Sequence, residues 1–154
     1  MVTMVMSRVT SDLVGKIRKW MKGATAGSLF SFLIAVEPVP ASRPRVTRWG
    51  SFYATTYDRW RKQSLPIAQA HDGLPTDKPV FVLIDVVCTK PKTGKLKYPR
   101  PDVDNFAKGP LDIMTKSEKF WKDDTQVIGL AVFKRYSEPG EDAGMYISWI
   151  ELEQ

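Results

Sequence analysis

Two acidic pairs raise the question of chemistry in this chain. Asp102 and Asp104 stand in the run Pro101-Asp102-Val103-Asp104-Asn105, at the head of a segment with helical periodicity, and Asp123-Asp124 follows about twenty residues later in Trp121-Lys122-Asp123-Asp124-Thr125-Gln126-Val127. Carboxylates are hard oxygen donors suited to Mg²⁺, with Mn²⁺ as the alternative. A divalent cation inside a basic surface points to a phosphate ester and its hydrolysis. Asp104, Lys108 and Asp112 recur every four residues, so they share one helical face, opposite Phe106 and Pro110. Asp104 or Asn105 could equally cap the helix N-terminus, the ordinary use of an Asp-x-Asp-Asn cluster. The second pair shifts the balance, because Asp123-Asp124 precedes a strand and could fold back beside the helix N-terminus to complete a three-carboxylate site. Successive strand residues point oppositely, so only one of that pair would enter it.

The charge is concentrated near these residues. Lys90, Lys92, Lys95, Lys97 and Arg100 fall in one acid-free segment, and Arg43, Arg45 and Arg48 form another. Without these eight, 15 basic residues face 17 acidic ones, so two loops carry the whole formal excess of +6. Such concentration fits a polyanion footprint, and a solvated lysine-rich loop is the plainer alternative.

The elements that would position these groups follow from periodicity. Residues 11–22 place Leu13, Val14, Ile17, Trp20 and Met21 on one helical face, with Ser11 or Asp12 to cap it and Gly23 to end it. This basic amphipathic helix belongs to an N-terminal extension over 1–27, expected to pack on its own domain or on a partner subunit. Ala24 to Ser28 reads as a linker. Strand length and β-forming composition mark 29–36, stopped by Pro38 and Pro40, and Phe52-Tyr53 is a possible short strand. A helix is expected over 55–71, with Trp60, Leu65, Ile67 and Ala68 inward and a kink or division at Pro66. A strand at 79–87 leads through the lysine loop into a helix over 103–118, where Phe106, Ala107, Pro110, Leu111 and Met114 face inward and Pro110 should bend the axis. Two strands, 126–136 and 145–151, close the chain. After the N-terminal helix the order is β-α-β-α-β-β, an α+β domain over 28–154 in which helices pack on a small mixed sheet.

Other classes are excluded or weakened by composition. One cysteine, Cys88, and one histidine, His71, leave no disulfide framework and no Cys/His zinc cluster. No apolar run reaches the about 18 residues of a membrane span, and no secretory signal is evident, so an intracellular, cytoplasmic protein is expected. A restriction-type nuclease would use Pro101-Asp102, but no Asp/Glu-x-Lys follows at a suitable distance. An Asp-x-Asp sugar transferase needs a larger nucleotide-binding architecture. Trp49, Phe52, Tyr53 and Tyr98 lie near the basic loops and could stack on unpaired bases, with core packing the plainer role for each. No covalent nucleophile stands out, which favours direct hydrolysis.

Taken in order, Asp102-Val103-Asp104-Asn105-Phe106-Ala107-Lys108, Leu111-Asp112 and Phe120-Trp121-Lys122-Asp123-Asp124-Thr125-Gln126-Val127 resemble the RusA family of Holliday junction resolvases. The resemblance is strong over 102–127, looser in the flanking strands, and absent over 1–27. It implies a homodimeric, Mg²⁺-dependent endonuclease that makes paired cuts in four-way DNA junctions, in a bacterial cell or a phage-infected host. Carried over by position, Asp102, Asp104 and Asp124 match the family's metal-binding carboxylates and Lys108 its essential lysine. Asp123 matches the neighbouring acidic position, assigned to capping or support alongside Asn105 and Asp112. Gly109-Pro110 is an unusual pair for the family. The alternative function is a non-cleaving accessory protein that binds branched DNA.

Overall fold

The computed structural model describes residues 11, 12, 15, 16, 19, 25–43, 45–52 and 54–153. Residues 11, 12, 15, 16 and 19 have helical backbone, while Leu13, Val14, Ile17, Trp20 and Met21, the expected apolar face, lie outside the described residues. Eight further elements follow: β1 (Thr25–Ile34), β2 (Arg45–Thr47), β3 (Gly50–Phe52), α1 (Thr55–Gln69), β4 (Val80–Cys88), α2 (Val103–Ser117), β5 (Val127–Tyr136) and β6 (Gly144–Glu153), with a 3₁₀ turn at Asp124–Gln126 before β5.

Four strands form one mixed sheet in the order β1-β6-β4-β5, in which β6 runs antiparallel to both β1 and β4, and β4 runs parallel to β5. A parallel pair needs a crossover, and α2 supplies it between β4 and β5. Central strand β4 reads Val-Phe-Val-Leu-Ile-Asp-Val-Val-Cys and is buried almost throughout, as a strand hydrogen-bonded on both edges should be. Val82, Ile84 and Val86 of β4 join Met145, Ile147 and Trp149 of β6 beneath the helices, where Trp60, Phe106, Ile113 and Met114 complete the core. The fold is therefore α+β, a small mixed sheet with both helices packed on it.

Several expectations change in detail. The expected linker at 24–28 is largely strand, because β1 extends back to Thr25 to pair with β6. Arg45–Thr47 forms an unforeseen strand against Gly50–Phe52, a separate two-stranded hairpin. Pro66 does not divide α1, and Ala70 N–H still donates to the Pro66 carbonyl at 3.0 Å. The carbonyl that Pro66 leaves without a donor belongs to exposed Lys62, where water can serve it. Tyr57 is buried in α1 beside Trp60 and Ala68, whereas Leu65 and Ile67 are only half-buried. Pro110 lies buried inside α2, which continues unbroken to Ser117 and ends at left-handed Glu118. His71 is structural, stacked on Phe120 with centroids 4.5 Å apart. Cys88 is buried, and burial pushes its thiol up to about 11, so it is an inert core residue.

Candidate active site

Helix α2 divides its residues cleanly. Phe106, Ala107, Pro110, Ile113 and Met114 are buried, while Asp104 and Lys108 are exposed on the opposite side and Asp112 is half-buried. Asp102 occupies the N-cap with extended backbone, φ −63° and ψ 141°, yet its carboxylate makes no capping hydrogen bond. The ordinary use of such a residue is thus not taken up here. Backbone amides at this helix end favour anions, so phosphate and carboxylate compete for the same region.

Both basic loops arrive at this end. The Ala41 N–H donates to the Asn105 carbonyl at 2.7 Å, which docks the chain just ahead of Arg43 onto the first turn of α2. The loop holding Lys90, Lys92, Lys95, Lys97 and Arg100 runs from the carboxyl end of β4 to Pro101, and all five side chains are exposed. A concave cavity of ≈ 700 Å³ opens between that loop and α2, reaching Cys88, Phe106 and Tyr136 and bounded by Lys95 and Arg100. It sits outside the carboxyl ends of the parallel strands β4 and β5, the usual place for a ligand in a parallel α/β unit. Lys134, which sequence reasoning missed, reaches into this region from β5. Its Nζ donates to the Pro101 carbonyl at 2.8 Å and lies 5.7 Å from the Tyr98 ring centre. The signal was available: alternation places Lys134 with Val132 and Tyr136, which pack against the core, and a lysine on that face needs a partner.

The second acidic pair sits in a different place from the expected one. Asp123 and Asp124 are in a turn, and strand alternation does not govern them. Asp123 caps the 3₁₀ turn, accepting from Thr125 N–H at 2.9 Å, and Gln126 Oε1 accepts from the Asp123 and Lys122 amides at 2.9 and 2.8 Å. Gln126 Nε2 also donates to the Thr76 and Lys78 carbonyls, each at 2.9 Å, and so pins the turn to the chain entering β4. Gln126 was missed too, although Asp-x-x-Gln is a capping-box signature. Since α2 crosses over between parallel strands, Asp102 stands where β4 and β5 end and Asp124 stands where β5 begins. A 15-residue helix spans about 22 Å, so Asp124 does not fold back beside the α2 N-terminus of its own chain.

Electrostatics agree with this placement. The Asp124 carboxyl is raised, first by its hydrogen bond with Asp123 and further by repulsion from Asp123 and Asp112, whereas Asp123 is lowered by the Thr125 amide it accepts from. Among the described residues, no three His, Cys, Asp or Glu side chains of one chain gather into a metal-holding group. No helix among them is long and apolar enough to cross a membrane.

A family model described as endodeoxyribonuclease RusA matches residues 35–144, from the end of β1 to the start of β6. No curated protein matches the chain.

Proposed function

Because the chain belongs to the RusA family of endodeoxyribonucleases, we propose that it is a Mg²⁺-dependent homodimer that resolves four-way DNA junctions by paired phosphodiester hydrolysis in recombination and repair. The observation that carries this reading is the uncapped Asp102 beside exposed Asp104 and Lys108, at the helix end where both basic loops arrive. Asp102, Asp104 and Asp124 would hold Mg²⁺ or Mn²⁺, which when bound polarises the scissile phosphate and acidifies a water. The donors suit that ion: they are hard oxygens, and the hydrogen-bonded Asp123–Asp124 pair near Asp112 concentrates negative charge that a cation relieves. Lys108, one helical turn beyond Asp104, presents an ammonium group to charge developing on the phosphoryl oxygens. Lys134 fixes the Pro101 carbonyl and with it the position of Asp102. Lys90, Lys92, Lys95, Lys97, Arg100, Arg43, Arg45 and Arg48 track the DNA backbone, a salt-sensitive contribution with little base information.

The separation of the two acidic pairs within one chain supports a dimer. Bringing the α2 N-terminus of one protomer to the Asp124 turn of the other completes two equivalent three-carboxylate sites related by a twofold axis. A nearly twofold junction would then meet two such sites, which suits symmetric nicking. The alternative, a non-cleaving branched-DNA-binding accessory protein, draws on the absence of a three-carboxylate group within a single chain among the described residues.

A labelled synthetic four-way junction and a matched linear duplex, incubated with Mg²⁺ or EDTA, decide between them. Paired Mg²⁺-dependent nicks near the crossover are expected, with Asp104→Asn lowering cleavage at least about 100-fold while junction binding persists. Junction binding with no cleavage in Mg²⁺ or Mn²⁺ would sink the nuclease reading in favour of the accessory protein.

A further inference from the structure

We propose that the β2–β3 hairpin is a wedge whose Trp49 stacks on an unpaired base at the crossover of branched DNA, a contact separate from the carboxylate site. Among the tryptophans of the described residues, Trp60, Trp121 and Trp149 are each 4% exposed or less, whereas Trp49 is 77% exposed and Val46 on the same hairpin 83%. The exposure is built in. The turn Thr47-Arg48-Trp49-Gly50 is closed by Thr47 Oγ1, which donates to the Gly50 carbonyl and accepts from the Trp49 N–H, each at 3.2 Å. Gly50 has φ +125°, a conformation that an L side chain rarely adopts, and glycine is the residue favoured at the last position of such a turn. Trp49 is therefore held at the apex of a hairpin that lies outside the four-stranded sheet.

Its surroundings select the partner. The Arg48 guanidinium lies 4.9 Å from the centre of the indole, and Arg45 stands at the start of the same hairpin, so the exposed ring has a cation beside it in a basic segment with no acidic residue between 38 and 57. An aromatic plane on a basic hairpin, with a guanidinium beside it, suits a nucleobase with its phosphates, since every base offers a π-face and the phosphates match the charge. An apolar protein partner would meet the arginines unpaired. The root of the hairpin is also tied to the candidate active site. Ala54 N–H donates to Ser42 Oγ at 3.1 Å, closing the loop at its base, and neighbouring Ala41 is bonded to Asn105 in the first turn of α2. From Ser42 to the apex at Arg48, extended chain reaches at most about 20 Å. At 3.4 Å per base step, that places the stacked base within about six nucleotides of the cleaved phosphate.

The proposal takes only DNA as the partner from the functional reading above, and the test separates the two. Junctions carrying 2-aminopurine at each position within about six nucleotides of the crossover are titrated with full-length protein in EDTA, and the same variants are assayed for cleavage in Mg²⁺. Wild-type protein is expected to change the fluorescence at crossover-proximal positions. Trp49→Ala should abolish that change and weaken junction affinity roughly 5- to 150-fold, Trp49→Phe should retain most of it, and affinity for linear duplex should move less than about twofold. Equal thermal midpoints for wild type and Trp49→Ala verify that the hairpin change leaves the fold intact. Unchanged junction affinity and fluorescence in Trp49→Ala overturn the wedge, as does an equal loss on linear duplex, and in either case wild-type cleavage still stands for the nuclease. A wild type that cleaves no DNA overturns the nuclease reading, while the fluorescence in EDTA continues to judge the wedge.

Discussion

Arg135 holds two carboxylates at once, on the face of the sheet turned away from the helices. Its guanidinium pairs with both oxygens of Glu141 and reaches Asp85 Oδ2 at 3.3 Å. Glu141 is held below the usual glutamate range, chiefly by its hydrogen bond to Arg135. Asp85, in the centre of β4, is pushed up by burial against the pull of Arg135. The two act oppositely on stability. Glu141 contributes stability that is complete above its ordinary pKa of about 4.3 and is lost as pH falls through its lower folded value. The ionised form of Asp85 is costly in the folded state, and that cost fades as pH falls through its raised value. Glu141→Gln removes the first effect and also the repulsion by which Glu141 adds to the rise of Asp85. The loss of the ion pair dominates, so it should destabilise the protein by roughly 1 to 3 kcal/mol at neutral pH, with the gap to wild type narrowing at acid pH as Glu141 is protonated. Urea unfolding at the two pH values measures this, and a gap independent of pH would rule out the ion pair as its cause. An aspartate in an apolar strand is visible in the sequence, but its partner 50 residues away in chain is not.

Helix α2 shows why an element can resist reading from local rules. Gly109 and Pro110 both disfavour helix, yet they sit in its buried face. The fold explains the glycine: a Cβ there would lie 2.8 Å from Trp60 Cζ3 and 3.1 Å from Cη2, so α2 crosses α1 directly over the indole ring. Trp60 is 1% exposed and has nowhere to move. Gly109→Ala gains about 1 kcal/mol of helix propensity but overpacks this contact, and a net loss of roughly 1 to 3 kcal/mol is expected. A raised denaturant midpoint in that variant would show that the ring gives way. Periodicity located the long strands and both helices to within a few residues because each buries a face whose apolar spacing is written locally, as in Val80–Cys88 and Val127–Tyr136. Strands β2 and β3, three residues each, carry no such pattern, and the neighbours of β6 on either side depend on pairings more than 50 residues apart. The candidate site was legible as residue types, Asp102, Asp104, Lys108 and Asp124, while the crossover that sets the acidic pairs at opposite ends of α2 belongs to the topology.

At the scale of the whole molecule, that separation makes a prediction independent of any one side chain. If each site takes Asp102 and Asp104 from one protomer and Asp124 from the other, a mixed dimer of Asp104→Asn and Asp124→Asn subunits has both lesions in one site and none in the second. Each variant alone has no intact site. Co-refolding equal amounts should therefore restore activity in the mixed dimers, to about a quarter of the wild-type number of sites when subunits assort at random. Because a mixed dimer holds one working site, its products should be single nicks, where the wild type makes paired cuts. Junction-nicking assays on the separate variants and on the mixture, with dimer formation followed by sedimentation, read both effects. Should the three carboxylates converge within a single protomer, the mixed dimer would have a damaged site on each side and the mixture would be as inactive as its parts. Recovery of single nicks would tie assembly to catalysis, since the monomer would then lack a complete set of ligands, and dilution below the dimer dissociation constant should silence the enzyme without unfolding it.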